Sequence, residues 1–313
     1  MQAMERIIEK PVVWKHAKLG CDNAIVSRFR MKNQGQTLTI FAVGDLGSDK
    51  IFMNCPDLFL HEKCQILKSE EKIRVGYVPL QIGGTLRGVY LKQHNALSFG
   101  RRFASLFVAS AAMRSLSGAA VLLQAGYATA RPIAAVEYRR HGLLTKSLYL
   151  SEEIAGAKTG GTFWCEDLAA LKGVEGYRAR RAFLRRLARL IKSLHEERIY
   201  HNDLKVSNVL VQEERTLTEE PFSLIDLQGL RKCFYVSRRR KIKNLAQLNR
   251  TLGVSLTRAA KVYFLKAYGD YRISNRRKKI DFIQSILAET TRQIRRGKLR
   301  NRRTENRSFV EIL

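Results

Sequence analysis

The sequence predicts an α+β protein in which a β-rich small lobe precedes a mostly helical large lobe that ends in basic helices. Three observations support this. Short alternating runs rich in Val, Ile and Tyr dominate the chain before residue 155. An amphipathic helix pattern opens the second half, and the last part of the chain shows helical segments separated by basic clusters. At 313 residues the chain is long enough for two such lobes.

A polar motif in the second half indicates the chemistry. His201, Asp203, Lys205 and Asn208 form the pattern His-x-Asp-x-Lys-x-x-Asn, which runs directly into an apolar strand. Asp226 follows a second apolar strand, eighteen residues after Asn208. Protein kinases place catalytic side chains at such offsets, so the motif predicts a bilobal protein-kinase-like fold. The alternative is a chance loop and strand segment with surface carboxylates.

The kinase arrangement assigns a role to each of these positions. Asp203 accepts or orients the proton of the acceptor hydroxyl, and Lys205 neutralises the transferred phosphoryl group. Asn208 and Asp226 together hold Mg²⁺. The motif therefore predicts ATP and Mg²⁺ as cofactors.

The pattern divides the chain into three regions. Residues 1–54 form a strand-rich N-terminal extension, residues 55–155 the small lobe, and residues 156–313 the large lobe with its basic helical tail. Within the extension, residues 37–43 are rich in β-branched and aromatic side chains and predict a strand, with residues 50–53 as its partner.

The small lobe supplies a candidate phosphate ligand. Residues 72–78 and 88–92 predict two strands, and the second ends in Lys92. A lysine on this strand contacts the α- and β-phosphates of ATP in kinase-like folds; the alternative is a solvated lysine at a strand edge. No Gly-x-Gly-x-x-Gly precedes it, so we expect the phosphate loop around Gly76 or around Gly83-Gly84.

The helix expected after this lysine lacks an acidic residue. Residues 103–124 predict this helix, which should end at Gly126. Active kinases usually pair the strand lysine with a glutamate from it, and this segment contains none. Glu137 or another acid replaces that glutamate, or Lys92 is held differently, or the protein is weakly active or inactive.

The connection between the lobes gives a candidate adenine site. Residues 132–138 and 146–150 predict two more strands, and residues 151–157 fit the hinge that follows them. Backbone groups near Glu152 and Ile154 could bond adenine there. An ordinary polar turn is the alternative.

Four helices are predicted in the large lobe. The first covers residues 174–197 and carries an apolar stripe at spacings of three and four. The others cover residues 236–252, 255–269 and 281–296. The stripe of the first helix comprises Phe183, Leu184, Leu187, Leu190, Ile191 and Leu194.

The charge is strongly positive and concentrated at the end of the chain. The net charge is +29, and the 83 residues from Arg231 onward hold 24 Lys and Arg against 5 Asp and Glu, which is +19 of the total. Such a field attracts nucleic acid, an anionic membrane surface, or a phosphorylated or carboxylated glycan. The tail lacks the interleaved aromatic residues that stack bases, which weakens the nucleic-acid interpretation.

Cysteine usage and hydropathy bear on location. Five scattered cysteines without a Cys-x-x-Cys pair argue against a disulfide framework and a zinc site, and favour a reducing cytosol. The N-terminus shows no apolar signal core. The uncharged runs of residues 103–130 fall short of the ~18–20 residues that span a bilayer, so any membrane contact should be peripheral.

Several stretches together resemble the lipopolysaccharide core kinases, the Kdo and heptose kinases of Gram-negative bacteria. The resemblance covers about residues 55 to 290. One stretch, residues 240–248, resembles a Lys-acid-Leu-Ala-Gln-Leu element that ordinary protein kinases lack. The chain departs from the family at Arg114-Ser115-Leu116, where Arg-Glu-Trp is common, and at Asn244, where Asp is preferred. The stretches that carry the resemblance are 89–92, 122–132, 151–157, 201–208, 224–231 and 240–248.

The resemblance implies a specific reaction and location. Members transfer the γ-phosphoryl group of ATP to a hydroxyl of an inner-core sugar, heptose or Kdo, on a membrane-anchored glycolipid. They act at the cytoplasmic face of the inner membrane. A glycolipid acceptor and peripheral contact with the anionic inner membrane agree with the basic charge, because each lysine or arginine near such a surface adds ~1 kcal/mol. The resemblance also implies that Asp203 is the base, Lys205 the charge neutraliser and Lys92 the phosphate clamp.

Two other functions remain open from the sequence. A protein Ser/Thr kinase would use the same motif but should have an Ala-Pro-Glu-like anchor, and no Pro follows Asp226. An inactive kinase-like scaffold would bind membrane or nucleic acid through the basic tail. The acceptor sugar and the oligomeric state do not follow from the sequence.

Overall fold

The structure is a computed structural model, and it describes most of the chain in two units. The first unit comprises Met1–Ala155 with Ser223–Arg231, and the second comprises Gly156–Phe222 with Lys232–Leu313. The described residues are 5–8, 26–33, 36–43, 58–82, 84–96, 98–212, 221–269 and 276–310.

The first unit is built on an antiparallel sheet of eight strands. Their order across the sheet is β1-β2-β3-β7-β8-β6-β5-β4, and each neighbouring pair is antiparallel. The strands of the N-terminal extension thus join the same sheet as those of the small lobe. The strands are β1 (Glu5–Ile8), β2 (Val26–Asn33), β3 (Gln36–Val43), β4 (Gln65–Ser69), β5 (Ile73–Ile82), β6 (Thr85–Asn95), β7 (Pro132–Arg140) and β8 (Leu143–Glu152).

Alternating side chains of this sheet form its core. Residues two positions apart point to the same face of a strand, and Val78 with Leu80, Val89 with Leu91, and Leu148 with Leu150 are buried in one cluster. A short 3₁₀ turn, Leu58–Leu60, adds Leu58 and Phe59 to this cluster. The core therefore depends on the period-two pattern that predicts the strands.

Two helices follow β6. They are α1 (Phe99–Ala104) and α2 (Ala111–Gln124). The prediction of one helix from residue 103 is wrong, because Ser110 is the N-cap of α2 and its hydroxyl accepts the amide of Met113 at 3.2 Å. The predicted end is confirmed: Gly126 has φ 79°, and its amide donates to the carbonyl of Leu123.

The second unit is mostly helical. A short helical segment at residues 160–170 connects the strand at residues 157–159 to the helix at residues 173–196. The elements in chain order are β9 (Ala157–Thr159), α3 (Gly173–Glu196), β10 (Ile199–His201), β11 (Val209–Gln212), β12 (Phe222–Leu224), β13 (Leu230–Lys232), α4 (Arg238–Thr251), α5 (Arg258–Tyr268) and α6 (Arg276–Val310). Most of β12 and β13 belongs to the first unit, which includes Ser223–Arg231.

The first three helices of the second unit match their predicted positions, whereas α6 extends beyond the predicted residues 281–296 at both ends. All six residues of the predicted apolar stripe on α3 are buried. α3 is joined to α5 by a hydrogen bond between His195 and Tyr268, and α4 to α6 by one from Asn249 to Thr290. Among the described helices, none combines the length and apolar character required to cross a bilayer.

The small-lobe predictions are confirmed with two differences. Lys92 does not end its strand, because β6 continues to Asn95. Gly76 lies inside β5, where an added Cβ would be 2.9 Å from the ring of Phe59, so it is a packing glycine and not part of a loop. Residues 50–53 lie outside the described residues. The division into residues 1–54, 55–155 and 156–313 stays a prediction.

Candidate active site

The loop that carries the motif is held by helix α4. The amide of Leu204 donates to Oε1 of Gln247 at 3.0 Å, and Nε2 of Gln247 donates to the carbonyl of Asn202 at 2.7 Å. Nδ2 of Asn244 donates to the carbonyl of His201 at 2.7 Å. Two side chains of one helix thus bond to three backbone groups of the loop, which fixes its conformation.

A buried polar chain supports Asn244 in turn. Its Oδ1 lies 3.1 Å from Nε2 of His195, whose Nδ1 lies 2.8 Å from the hydroxyl of Tyr268. All three side chains are buried. Buried polar groups of this kind require partners, so each of these bonds constrains the next. Helices α3, α4 and α5 therefore jointly fix the loop.

The motif side chains in this unit contact one another. Nδ2 of Asn208 donates to the carbonyl of Asp203 at 2.8 Å, and Nζ of Lys205 lies 3.1 Å from Oδ2 of Asp203. Nδ1 of His201 accepts the amide of Asp203 at 3.2 Å, and its side chain is buried. His201 thus supports the loop, while the side chain of Asp203 stays partly exposed at 44%.

The first unit brings together two other predicted residues. Nζ of Lys92 lies 2.5 Å from Oδ1 of Asp226. Asp226 has a left-handed backbone with φ 62°, which Asp tolerates better than most residues. A non-glycine residue in this conformation often marks a functional position.

Close packing against α2 positions the segment around Asp226. An added Cβ at Gly118 would be 2.6 Å from the carbonyl oxygen of Leu227. On the other side of Asp226, the hydroxyl of Thr129 donates to the carbonyl of Leu224 at 2.6 Å. Glycine at position 118 thus allows the helix to approach the backbone next to the carboxylate that pairs with Lys92.

The acid that replaces the missing helix glutamate is Asp226. Oε2 of Glu137 lies 3.0 Å from NH2 of Arg139, so the suggestion that Glu137 serves Lys92 is wrong. Ser115, at the position where the sequence led us to look for an acid, donates to the carbonyl of Ala111 within its own helix.

His94 lies near this ion pair and was not recognised from the sequence. Its Nε2 is buried without a hydrogen-bond partner. Burial, together with the charges of Lys92 and Arg114, lowers the pKa of His94 to about 4, against the opposing effect of Asp226. The imidazole is therefore neutral at pH 7. The only available sequence signal was its position two residues after Lys92 on the same strand face.

The predicted adenine residues lie at the end of β8. The amide of Glu152 donates to the carbonyl of Arg131 at 2.9 Å, and its carboxylate lies 2.7 Å from NH1 of Arg87. The amide of Glu153 donates to the carbonyl of Gly88 at 2.8 Å. Backbone bonds thus occupy the amides of Glu152 and Glu153, and an adenine ring would have to use backbone groups other than these two amides.

The residues predicted to bind metal carry suitable donor atoms. Within the described ranges, no cluster of three or more His, Cys, Asp or Glu side chains could hold a metal ion. Mg²⁺ needs fewer protein ligands, because it commonly binds one or two carboxylates together with substrate phosphates. Asn208 donates through Nδ2, which leaves the amide oxygen as its ligand atom, and Asp226 supplies a carboxylate. Each of the two residues therefore carries an oxygen of the kind that Mg²⁺ prefers.

Comparisons with known proteins find a matching family model and similar solved structures. The family model "Lipopolysaccharide kinase (Kdo/WaaP) family" matches residues 59–268. The solved structure of WaaP in complex with acyl carrier protein is 23% identical with a TM-score of 0.55, covering 80% of this chain and 96% of that chain. A glucosamine kinase in complex with glucosamine, ADP and inorganic phosphate is 10% identical with a TM-score of 0.36, covering 79% and 76%. No curated protein sequence matches this chain.

The kinase-like α+β fold and the family match define a phosphotransferase, an enzyme of the kinase class that uses ATP. More narrowly, the chain belongs to the lipopolysaccharide kinase (Kdo/WaaP) family. This membership favours a lipopolysaccharide core kinase over the protein kinase and over the inactive scaffold that the sequence left open.

Proposed function

We propose that the enzyme transfers the γ-phosphoryl group of ATP to a heptose or Kdo hydroxyl of the lipopolysaccharide inner core, at the cytoplasmic face of the inner membrane. The observation that carries the proposal is the set of contacts among Asp203, Lys205 and Asn208 on a loop clamped by α4. Catalysis of phosphoryl transfer is mostly positioning and electrostatic stabilisation. A rigid loop with a carboxylate, an ammonium and an amide meets both needs.

Each residue has a proposed role. Asp203 orients the sugar hydroxyl and takes its proton, while Lys205 neutralises charge on the phosphoryl group. Lys92 binds the α- and β-phosphates, and Asn208 with Asp226 would hold Mg²⁺, which supplies charge neutralisation at the β- and γ-phosphates. Backbone groups near Glu152 and Ile154 are the proposed adenine contacts.

The basic surface supports a membrane-bound, anionic acceptor. Arg238 and Arg239 begin α4 and are exposed, as is most of the polar side of α6 where it is described. Phosphates and carboxylates of the lipopolysaccharide core and anionic phospholipids both complement this charge. We therefore also propose peripheral association with the inner membrane.

The test is transfer of labelled phosphate from γ-labelled ATP to a panel of core glycolipids and generic proteins. We expect label in a glycolipid that carries the inner core and none in the proteins. Asp203→Ala should reduce transfer by roughly 10²–10⁴-fold while nucleotide affinity stays nearly unchanged. Asp281→Ala, which removes an exposed carboxylate from a surface ion pair, is the matched control. Label in proteins alone, or full transfer by Asp203→Ala, would contradict the proposal.

A further inference from the structure

Helix α1 and the turn after it expose a concentrated apolar surface. Isolated exposed apolar residues are ordinary in proteins, but contiguous clusters mark interaction sites. Here five large apolar side chains within ten positions are at least half exposed. Their exposed fractions are 74% for Phe99, 53% for Phe103, 50% for Leu106, 80% for Phe107 and 55% for Val108.

Two of the apolar side chains contact each other, and hydrogen bonds hold the backbone of the segment. The rings of Phe103 and Phe107 contact each other edge to face, with centroids 6.1 Å apart. Nε of Arg102 donates to the carbonyl of Ala96 at 2.9 Å, and Oγ of Ser105 accepts the amide of Leu144 at 3.1 Å. The polar groups of this segment therefore bond to the small lobe, while the apolar groups face solvent.

The segment itself carries only positive charge in its sequence. Residues 98–114 contain three Arg and no Asp or Glu. An anionic bilayer presents a negative headgroup layer directly above an apolar phase. Apolar side chains on a basic, acid-free segment match these two layers, as they do in peripheral interfacial helices. A partner protein with a merely acidic surface would leave the phenylalanine rings unmatched.

We propose that residues 99–108 form a membrane wedge that inserts Phe99, Phe103 and Phe107 into an anionic phospholipid surface. This inference rests on the proposed function, because an acceptor anchored in the membrane requires the enzyme to work at that surface. It assigns the contact to an apolar part of the small lobe, whereas the basic tail contributes charge alone.

Vesicle flotation tests the wedge directly. The vesicles are phosphatidylcholine with roughly 30% phosphatidylglycerol. The double variant Phe103→Ser/Phe107→Ser should bind at least about tenfold more weakly than the wild type, because two rings lose their apolar environment. The control is Val254→Ser in the second unit, at a side chain that is 77% exposed, and it should bind like the wild type. Wild-type binding by the double variant would overturn the proposal.

A tryptophan introduced at position 107 tests whether this side chain enters the lipid bilayer. In Phe107→Trp we expect emission to shift to shorter wavelength on vesicle addition and to be quenched by brominated lipid chains, beyond the signal of the wild-type tryptophans. Val254→Trp should show neither change. Absence of quenching at position 107 would overturn insertion. Self-association of the wild type that is lost in the double variant, without lipid binding, would assign the face to pairing between copies and also overturn it.

Activity on two acceptor substrates distinguishes failure of the membrane wedge from failure of the proposed function. The double variant should lose transfer to core glycolipid embedded in vesicles and keep transfer to the water-soluble, deacylated core oligosaccharide. Equal loss on both acceptors with an unchanged melting temperature would overturn the wedge. If the wild type labels neither acceptor, the proposed function fails, and flotation and quenching still decide whether the wedge binds lipid.

Discussion

Nζ of Lys92 and Oδ1 of Asp226 lie 2.5 Å apart, although 134 positions separate the two residues in the chain. The strand lysine is thus neutralised by the residue that is proposed to bind the metal ion, and not by a glutamate of α2. A nucleotide with its metal ion would therefore enter a site in which these two charges already compensate each other.

Replacement of Lys92 should reduce catalytic activity and leave the stability of the protein nearly unchanged. Both side chains are about a quarter exposed, at 25% and 22%, so the ion pair contributes only about 1 kcal/mol to folding. We expect Lys92→Met to lower kcat/KM by roughly 10²–10³-fold with a small change in Tm. The control is Lys68→Met, which removes an exposed ion pair on β4. Full activity of Lys92→Met, measured in the same phosphate-transfer assay, would exclude Lys92 from phosphate binding.

Enlargement of Gly118 should disturb Asp226 indirectly. A side chain at this position meets the backbone of Leu227 at 2.6 Å, so Gly118→Val must shift the segment that follows Asp226. We expect weaker Mg²⁺-dependent nucleotide binding and a lower Tm. In contrast, an added Cβ at Gly297 in α6 meets nothing within 4 Å, and Gly297→Ala should be neutral or stabilise by up to about 1 kcal/mol. Unaltered nucleotide affinity in Gly118→Val would show that the segment adapts.

Removal of the Asn244 amide should loosen the catalytic loop. Asn244→Leu leaves the carbonyl of His201 and Nε2 of His195 without their buried partners. We expect the free energy of unfolding to fall by about 2–4 kcal/mol, together with a marked loss of kcat, as measured by urea denaturation and the transfer assay. Asn249→Leu on the same helix is the matched control. It loses the bond to Thr290, away from the loop, and should keep kcat near wild type.

The neutral imidazole of His94 predicts a loss of stability in acid. Its pKa is lowered to about 4 in the folded state and is ~6.5 when unfolded, so between these values the unfolded chain binds more protons. The contribution of His94 is therefore complete above pH 6.5 and declines as the pH falls toward 4. The total is on the order of 3 kcal/mol. Thermal melts of the wild type and His94→Gln from pH 7.5 to 4.5 measure it.

The difference between the two melting curves is the decisive quantity for His94. Other groups titrate in the same range, but they are common to both proteins and cancel. We expect the Tm of the wild type to fall more steeply with acid than that of His94→Gln. Parallel curves would mean that the imidazole is protonated without cost in the folded protein.

The sequence predicted those features that depend on local pattern. The apolar stripe of α3 and the strands around Val89 and Leu148 follow from periodicity, which folding preserves because it buries these side chains. The end of α2 followed from Gly126, whose left-handed backbone ends the helix. Its beginning did not, because residues 103–110 are apolar enough to resemble a helix, and the hydroxyl of Ser110 is a weak signal within that run.

Features that join distant segments could not be predicted from pattern. Asp226 lies 134 positions after Lys92 in the chain, and no local pattern in the sequence selects it as the partner over the suggested Glu137 or another acid. Asn244 and Gln247 belong to a stretch whose resemblance to the family was visible. Their role was not, because polar side chains on a basic helix ordinarily face solvent. Only the fold shows that these two amides replace solvent as partners of the loop backbone.

The clamp from α4 has a consequence for shortened versions of the enzyme. A fragment ending at Lys232 would retain each of the five motif residues, and a motif search would score it as a complete kinase. Such a fragment would nevertheless lack Asn244 and Gln247, whose side-chain amides bond to the backbone of residues 201–204. We expect it to be produced in cells as an unfolded or rapidly degraded polypeptide, so the shortest useful piece of this enzyme must extend past Thr251.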